Sequence, residues 1–311
     1  MKTYFVISDI HSYATAMIKS LTTAGFQRTN KDHILIVCGD LFDRGDETLE
    51  VYNYIKSLPK NRRILIKGNH EHLFLDLLLK PFPEAHDFSN GTVLSFCQIA
   101  KVSPDKLTED YWKSTIDDKS LIYEKIQKDV WQNEVRDVVA QSEITKWLLS
   151  DEWINYYELK NFIFVHSFIP LKLKEDQSYF KLWPAYYVDA RCFEFKDDWR
   201  DAADFEWEDA SWMCPWKCYN CNLFEPEANK DKILVCGHWH ARNFHKIYEN
   251  TNLPDDTIFY SKNLIALDAC TALSNTVNVL VIKDNLCFDK FGKKLDLSKP
   301  ATITEKETDY E

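Results

Sequence analysis

Apolar residues recur along the first seventy positions in two alternating textures. "YFVISD" from Tyr4, "HILIVCGD" from His33 and "RRILIKGN" from Arg62 are short, nearly continuous apolar runs rich in β-branched residues. That is the pattern of strands buried on both faces. Between them, "ATAMIKSLTTAGF" and "ETLEVYNYIKSLP" space their apolar residues at helical intervals and stop at Gly25 and Pro59. A β-α-β-α-β order predicts a parallel sheet with helices on its faces, and such sheets hold ligands at the carboxyl ends of their strands.

Further along, the texture changes. From His72 to about Tyr157, "HLFLDLLLK", "SLIYEKIQKDVWQNEVRDVV" and "EITKWLLSDEWINYY" read as a mostly helical insertion whose charges form a solvated face. "NFIFVHS" and "KILVCGHWH" restore the strand pattern. Residues 257–290 read as several short, turn-linked strands of a second, antiparallel sheet. An aromatic-rich excursion spans about 175–228, including "YFKLWPAYY" and "DWRDAADFEWEDASWMCPWKC". It reads as a packed excursion that its tryptophans fasten to the core, rather than a lid that stacks on a flat group. Residues 1–295 thus form one domain with two interruptions, and 296–311 a frayed tail.

Composition narrows the function classes. A net charge of -11 and a pI near 5.4 lack the basic face that tracking a nucleic-acid backbone requires. No apolar run approaches the ~18 residues of a membrane span. The start, "MKTYFVISDIH", does not fit a cleavable secretory signal, so a cytoplasmic location is expected. Nine cysteines, with Cys38, Cys236 and Cys270 inside apolar runs, do not read as a disulfide framework. Cys214, Cys218 and Cys221 cluster in "CPWKCYNC" without a fourth ligand at regular spacing, and read as reduced loop thiols.

Polar residues collect just past each strand. "SDIH" places Asp9 and His11 there, "CGD" Asp40, "GNHE" Asn69 and His70, "VHS" His166, and "GHWH" His238 and His240. A lone histidine beside a strand is usually a hydrogen-bonded core residue, but that reading does not explain every strand end delivering a metal-type ligand. Carboxylates, imidazoles and one amide oxygen make a mixed donor set suited to Mn, Fe or Zn, without the thiolates of a closed structural zinc site. The candidates outnumber the ligands of one ion. Asp40, on the central strand of the first three, reads as a bridge between two ions roughly 3.5–4 Å apart, which would aim a water-derived hydroxide at phosphorus.

In this order, "DIH", "GDLFDRG", "GNHE", "VHS" and "GHWH" resemble the calcineurin-like metallophosphoesterase superfamily. "GDLFDRG" with "GNHE" is similar to its branch of phosphoprotein phosphatases and bacterial symmetrical diadenosine tetraphosphate hydrolases. The resemblance implies an α/β fold, a four-layer α/β/β/α sandwich with a helical insertion. It implies a dinuclear-metal phosphohydrolase, manganese favoured, cleaving phosphomonoesters or phosphoserine and phosphothreonine. Dinucleoside polyphosphate hydrolysis and a non-catalytic phosphate-binding scaffold are the alternatives. By the same resemblance Asp9, His11 and Asp40 hold one metal, completed by His240, and Asp40, Asn69, His166 and His238 hold the other. His70 is the general acid, Asp43 fixes its tautomer, and Arg44 clamps the phosphoryl oxygens.

Some residues depart from the pattern. The phosphatase branch shows D-x-H-G and H-G-G where this chain has "DIHS" and "VHSF", so side chains are expected to crowd the loops beside the metals. A second phosphate-clamping arginine would be Arg191 or Arg200. Glu71 reads as a cap of the helix that begins there, and Asp46 and Glu47 as favourable charges at the start of another. His33, His72, His86 and His245 have no motif around them and read as structural.

Overall fold

The computed structural model describes residues 1–107, 126–174, 190–224, 229, 231–251 and 253–298. Residues 175–189 and 225–228 of the aromatic excursion, 108–125 of the insertion and 299–311 of the tail lie outside the described residues.

Strands β1 (Thr3–Ile7), β2 (His33–Cys38), β3 (Arg63–Ile66) and β4 (Trp153–Ile154) run parallel side by side. Next in the chain come β5 (Tyr157–Leu159), β6 (Phe162–Phe164), the hairpin partners β7 (Leu171–Leu173) and β8 (Phe193–Phe195), and β9 (Ile233–Cys236). Last are β10 (Phe259–Tyr260), β11 (Leu264–Ala266), β12 (Leu280–Lys283) and β13 (Leu286–Phe288). One sheet has the order β13-β12-β1-β2-β3-β4 and a second the order β10-β11-β9-β6-β5. In the second, β11, β9 and β6 are parallel.

Alternation along the strands sorts side chains into layers. Phe5, Ile7, Leu35, Val37 and Leu65 face outward, into a core with Met17 and Leu21 of α1 (Ala14–Thr23) and Val51 and Ile55 of α2 (Thr48–Lys56). Their neighbours Val6, Ile36, Cys38 and Ile66 meet Phe162, Phe164, Val235 and Ile265 between the two sheets. Ile163, Leu234, Cys236 and Leu264 face the far side, against Trp199, Trp207 and Phe244. The result is the expected α/β/β/α sandwich. Trp199, Trp207 and Trp216 of the aromatic excursion form part of its outermost layer.

Two details differ from the sequence reading. Residues 257–290 do not make a sheet of their own: β10 and β11 extend the second sheet, whereas β12 crosses to the first and pairs antiparallel with β1, Val6 opposite Leu280. An apolar run specifies burial but not which sheet buries it. Within the span read as helical, β4 forms an edge strand, at two residues too short for alternation to be visible.

The rest of the described insertion packs on the outer face of the first sheet. It contains α3 (Asn69–Leu77), α4 (Ala85–Ser89) and α5 (Thr92–Ala100), followed by a π-helical stretch, Val130–Arg136. Trp131 of that stretch stacks on Phe96 of α5 with ring centroids 5.5 Å apart and donates its indole N–H to the carbonyl of Lys80 at 3.3 Å. Both rings are fully buried, each worth roughly 1.5–3 kcal/mol, so α5 is held firmly. No described helix is long and apolar enough to cross a membrane.

Behind the sheet edge, Glu152 binds Arg63 of β3 through Nε at 3.0 Å and through Nη2, and also accepts from Trp147 Nε1 and Lys56 Nζ, each at 3.2 Å. Burial alone would raise its carboxyl, but the bonds from Arg63, Trp147 and Lys56 outweigh it and hold the carboxyl down at about 2. The stabilisation is therefore complete above the ordinary glutamate value and drains away as pH falls toward about 2. Glu152→Gln should cost about 3 kcal/mol at pH 7 in urea unfolding, and its deficit against the parent chain should close between pH 4.5 and 2.

Candidate active site

The parallel strands of both sheets end on one side of the molecule, and the chain turns sharply there. Asp9, His11 and Ser12 after β1 take left-handed backbone (φ 52°, 51° and 61°), as do Asp40, Asp43 and Arg44 after β2 (57°, 75° and 63°) and His238 after β9 (61°). This conformation costs an L-residue roughly 1–2 kcal/mol, so its recurrence in facing loops marks strain held by the surroundings. The first two loops are zipped together: His11 N–H donates to the Asp40 carbonyl at 3.0 Å, Ser12 N–H to Leu41 at 2.8 Å and Gly45 N–H to His11 at 2.9 Å. Close approach demands glycine at two further points. A Cβ on Gly39 would lie 2.5 Å from His166 Nδ1, and one on Gly68 would overlap the Asp40 carboxylate.

Asp40, 1% exposed, sits between two groups of donors. His11 Nε2 and His70 Nε2 lie 3.7 and 4.0 Å from its Oδ2, and His166 Nε2 lies 3.4 Å from its Oδ1, with His238 completing the second group. The tautomers follow from the backbone. His11 Nδ1–H donates to the Phe42 carbonyl at 3.1 Å and His166 Nδ1–H to the Cys38 carbonyl at 2.8 Å, which leaves a lone pair on each Nε2. His166 Nε2 then faces Asn69 Oδ1 at 2.8 Å, acceptor against acceptor.

The charges are equally unbalanced. Burial, together with the charges of Asp9 and Glu71, holds Asp40 well above the ordinary carboxylate range. Burial also lifts Asp9 to about 7, against hydrogen bonds from Ser8 and His238. Burial lowers His11 and His238 well below the usual histidine value and His166 to about 4. Among the described residues no lysine or arginine pairs with Asp9, Asp40 or Asp268. Neutral imidazoles, carboxylates and an amide oxygen that converge in this way are a donor set that fits first-row divalent cations.

Beside Asp40 stands a second arrangement. His70 Nδ1 lies 2.7 Å from Asp43 Oδ2, and Asp43 is fully buried. Thr92 Oγ1 donates to the same carboxylate at 2.7 Å and Ser95 Oγ at 3.0 Å, both from α5. Burial lifts Asp43 to about 7, with these two hydroxyls and Arg44 opposing it. Arg44 itself is exposed, and its guanidinium has no hydrogen-bond partner among the described residues. Its charge acts on Asp9, Asp40 and Asp43 alike. Gly91, the residue before α5, lies against the Arg44 backbone so closely that a Cβ would overlap its nitrogen.

Asp9 and His240 belong to neither donor group around Asp40. The Asp9 carboxylate accepts from the Ser8 hydroxyl and, with both oxygens at 3.0 Å, from the His238 backbone N–H. His240 Nε2 lies 3.8 Å from Asp268, a buried carboxylate after β11 that the sequence reading passed over. The signal was present: "IALDA" ends a strand in an acid as "VCGD" does. Thr92 and Ser95 gave no such signal.

Several secondary readings are resolved. Glu71 accepts from Gly68 N–H at 2.7 Å as a helix cap, and also from Asp40 and Leu41 N–H at 2.9 Å, so one carboxylate ties both loops. Glu47 sits at the start of α2 but caps α1, accepting from Thr15 N–H at 2.8 Å, because the zipped loops turn it that way. At the missing glycine, Ser12 keeps the left-handed backbone and places its hydroxyl 2.8 Å from Thr48 Oγ1. Ser167 donates to the Met213 carbonyl. Arg200 is engaged by Glu158 at 2.5 Å and lies over the Trp199 ring, while the Arg191 carbonyl accepts from Lys174. Trp239 and Trp212 flank the His238 ring at 5.4 and 5.5 Å. Cys214, Cys218 and Cys221 are free thiols.

Residues 2–242 match the family model described as calcineurin-like phosphoesterase. The chain therefore belongs to that family. It is similar to the asymmetrical bis(5'-nucleosyl)-tetraphosphatase PrpE of Bacillus velezensis, 29% identical over 114 residues, 34% of this chain and 44% of that protein. The match thus spans less than half the length of this curated relative. Among solved structures it is similar to the cold-active protein tyrosine phosphatase of a psychrophilic Shewanella species, with TM-score 0.46 and 14% identity over 96% of this chain and 81% of that one. A putative diadenosine tetraphosphatase gives TM-score 0.41 and 14% identity over 90% and 88%.

Glu71→Gln tests the tie between the loops. The amide must turn an N–H toward one of three backbone N–H groups that the carboxylate now satisfies. A loss of about 1–3 kcal/mol is expected, read as a lower thermal midpoint, with no change if the carboxylate is dispensable.

Proposed function

We propose that this chain hydrolyses phosphate esters with a pair of divalent cations that share Asp40. The observation that supports this best is the placement of Asp40 between His11 and His70 on one side and His166 and His238 on the other, with His70 also held by Asp43. Asp9, His11 and Asp40, with His240, would hold one cation, and Asp40, Asn69, His166 and His238 the other; Mn, Fe or Zn suits the donors, and manganese is favoured. Bound cations would supply Lewis acidity, offsetting the charge of the phosphoryl group and lowering the pKa of water at the site.

The protein's own groups do the rest. Arg44, unpartnered at the mouth, binds and orients phosphoryl oxygens. His70 presents Nε2 to the site and gives its proton to the departing oxygen. Burial, with the charges of Arg44 and His166, pushes that ring well below the ordinary histidine range, so its protonated form depends on Asp43. A mere phosphate-binding scaffold has no use for such a pair. The substrates are phosphomonoesters or phosphoserine and phosphothreonine side chains. A second reading, dinucleoside polyphosphates, is favoured by the likeness to the Bacillus tetraphosphatase.

Elemental analysis after manganese loading should find close to two equivalents per chain. Asp40→Asn should lower both occupancy and rate, and His70→Asn should keep the metal while slowing turnover by about 10²–10⁴. A panel of p-nitrophenyl phosphate, bis-p-nitrophenyl phosphate, diadenosine tetraphosphate and a phosphopeptide ranks the substrate classes. One equivalent or none, or phosphate binding without turnover of any of the four, would overturn the proposal.

A further inference from the structure

We propose that α5 is a positioning element for the proton donor: a buried row of hydroxyls, Thr92, Ser95, Thr48 and Ser12, orients the Asp43 carboxylate and through it the His70 ring. This rests on the reading of His70 as the group that protonates the departing oxygen. Thr92 Oγ1 and Ser95 Oγ both donate to this carboxylate, at 2.7 Å to Oδ2 and 3.0 Å to Oδ1. Ser95 oxygen in turn accepts from the Asp43 backbone N–H at 2.9 Å and from the Thr48 hydroxyl at 3.4 Å. Thr48 has then spent its proton, so Ser12 donates to it at 2.8 Å. Every hydroxyl dipole in the row points toward Asp43, and such aligned bonds reinforce one another.

Thr92, Ser95, Thr48, Ser12 and Asp43 are all fully buried, so water cannot replace a lost link. With Oδ1 held by Ser95 and Oδ2 shared between Thr92 and His70, the carboxylate cannot rotate without breaking three bonds. Gln98, one turn further along α5, accepts from Thr48 N–H at 2.9 Å and donates to the Gly45 carbonyl at 3.0 Å, locking the helix to the same loop. The row also gives Ser12 a use: a glycine would take its left-handed backbone freely but would leave the end of the row without a donor.

Thr92→Val removes one hydroxyl at constant shape and Thr92→Ser keeps it; Ser95→Ala is a second deletion. Three readouts are compared in the manganese-loaded protein: kcat on an alkyl phosphate and on p-nitrophenyl phosphate, metal content, and thermal midpoint. In the metal-free protein, the downfield ring N–H resonance of His70, assigned by its loss in His70→Asn, reports orientation without turnover. Deletion should slow the alkyl ester about tenfold more than the aryl ester, because p-nitrophenolate departs with little need of a proton. Metal content and KM should stay near the parent values, the ring N–H signal should shift or broaden, and Thr92→Ser should restore all of these. Equal slowing of both esters, or a serine variant as slow as the valine one, overturns the proposal. A ring signal that responds to Thr92→Val and recovers with serine, in a chain that turns over neither ester, upholds the positioning role and refutes the hydrolase reading instead.

Discussion

Among the described residues, buried carboxyls that no lysine or arginine pairs with govern this molecule. Asp9, Asp40 and Asp268 end three parallel strands in a space nearly closed to water, and burial raises all three carboxyls. Elsewhere the same chain solves the problem of a buried acid differently: Glu152 is met by Arg63, and Asp87 by Lys80 at 2.9 Å. At the strand ends neither happens. Imidazoles with free lone pairs stand there instead, and two acceptors, His166 Nε2 and Asn69 Oδ1, face each other. Such a set can hold a metal ion. The left-handed turns and the glycines without room for a Cβ exist to bring it about, since each lets backbone pass close beside a carboxylate or ring.

The alternating textures of the first seventy residues were enough to read the parallel sheet, and the motifs after each strand were enough to read the family. Both depend on local repetition: an apolar run, then a polar residue with a ligating atom. What escaped reading depends on distance. β12 and β10 have similar apolar runs, yet they enter different sheets, because the choice is made by the crossover between them. Thr92 and Ser95 are ordinary residues of an amphipathic helix until folding sets them against an aspartate some fifty positions earlier. Asp268 followed the strand-end rule but lacked a neighbouring histidine to draw attention to it. Glu47 was legible as a favourable charge at a helix start and not legible as the cap of a different helix.

The insertion is the larger lesson in how packing reaches chemistry. Read as helices with a solvated face, it has no claim on the site. Yet Trp131 stacked on Phe96 fixes α5, Gly91 lets α5 press against the Arg44 backbone, and two hydroxyls of α5 hold Asp43. A hydrophobic contact between aromatic rings is thus one step removed from a carboxylate that orients an imidazole. Rotamer freedom in that carboxylate would blur the direction of the His70 Nε2 lone pair or proton, and proton transfer falls steeply with misalignment.

An acidic protein that handles anions needs positive potential where the anion sits. Arg44 is exposed, unpartnered among the described residues, and close enough for its charge to act on acids and imidazoles of the site alike. Had it found a carboxylate to bind, as Arg200 finds Glu158, its donors would be occupied before a ligand arrived. The left-handed backbone at residues 43 and 44 turns Asp43 inward and Arg44 outward in consecutive positions. That reversal within a single dipeptide is why the charge-rich stretch after β2 is compatible with a core strand ending directly before it.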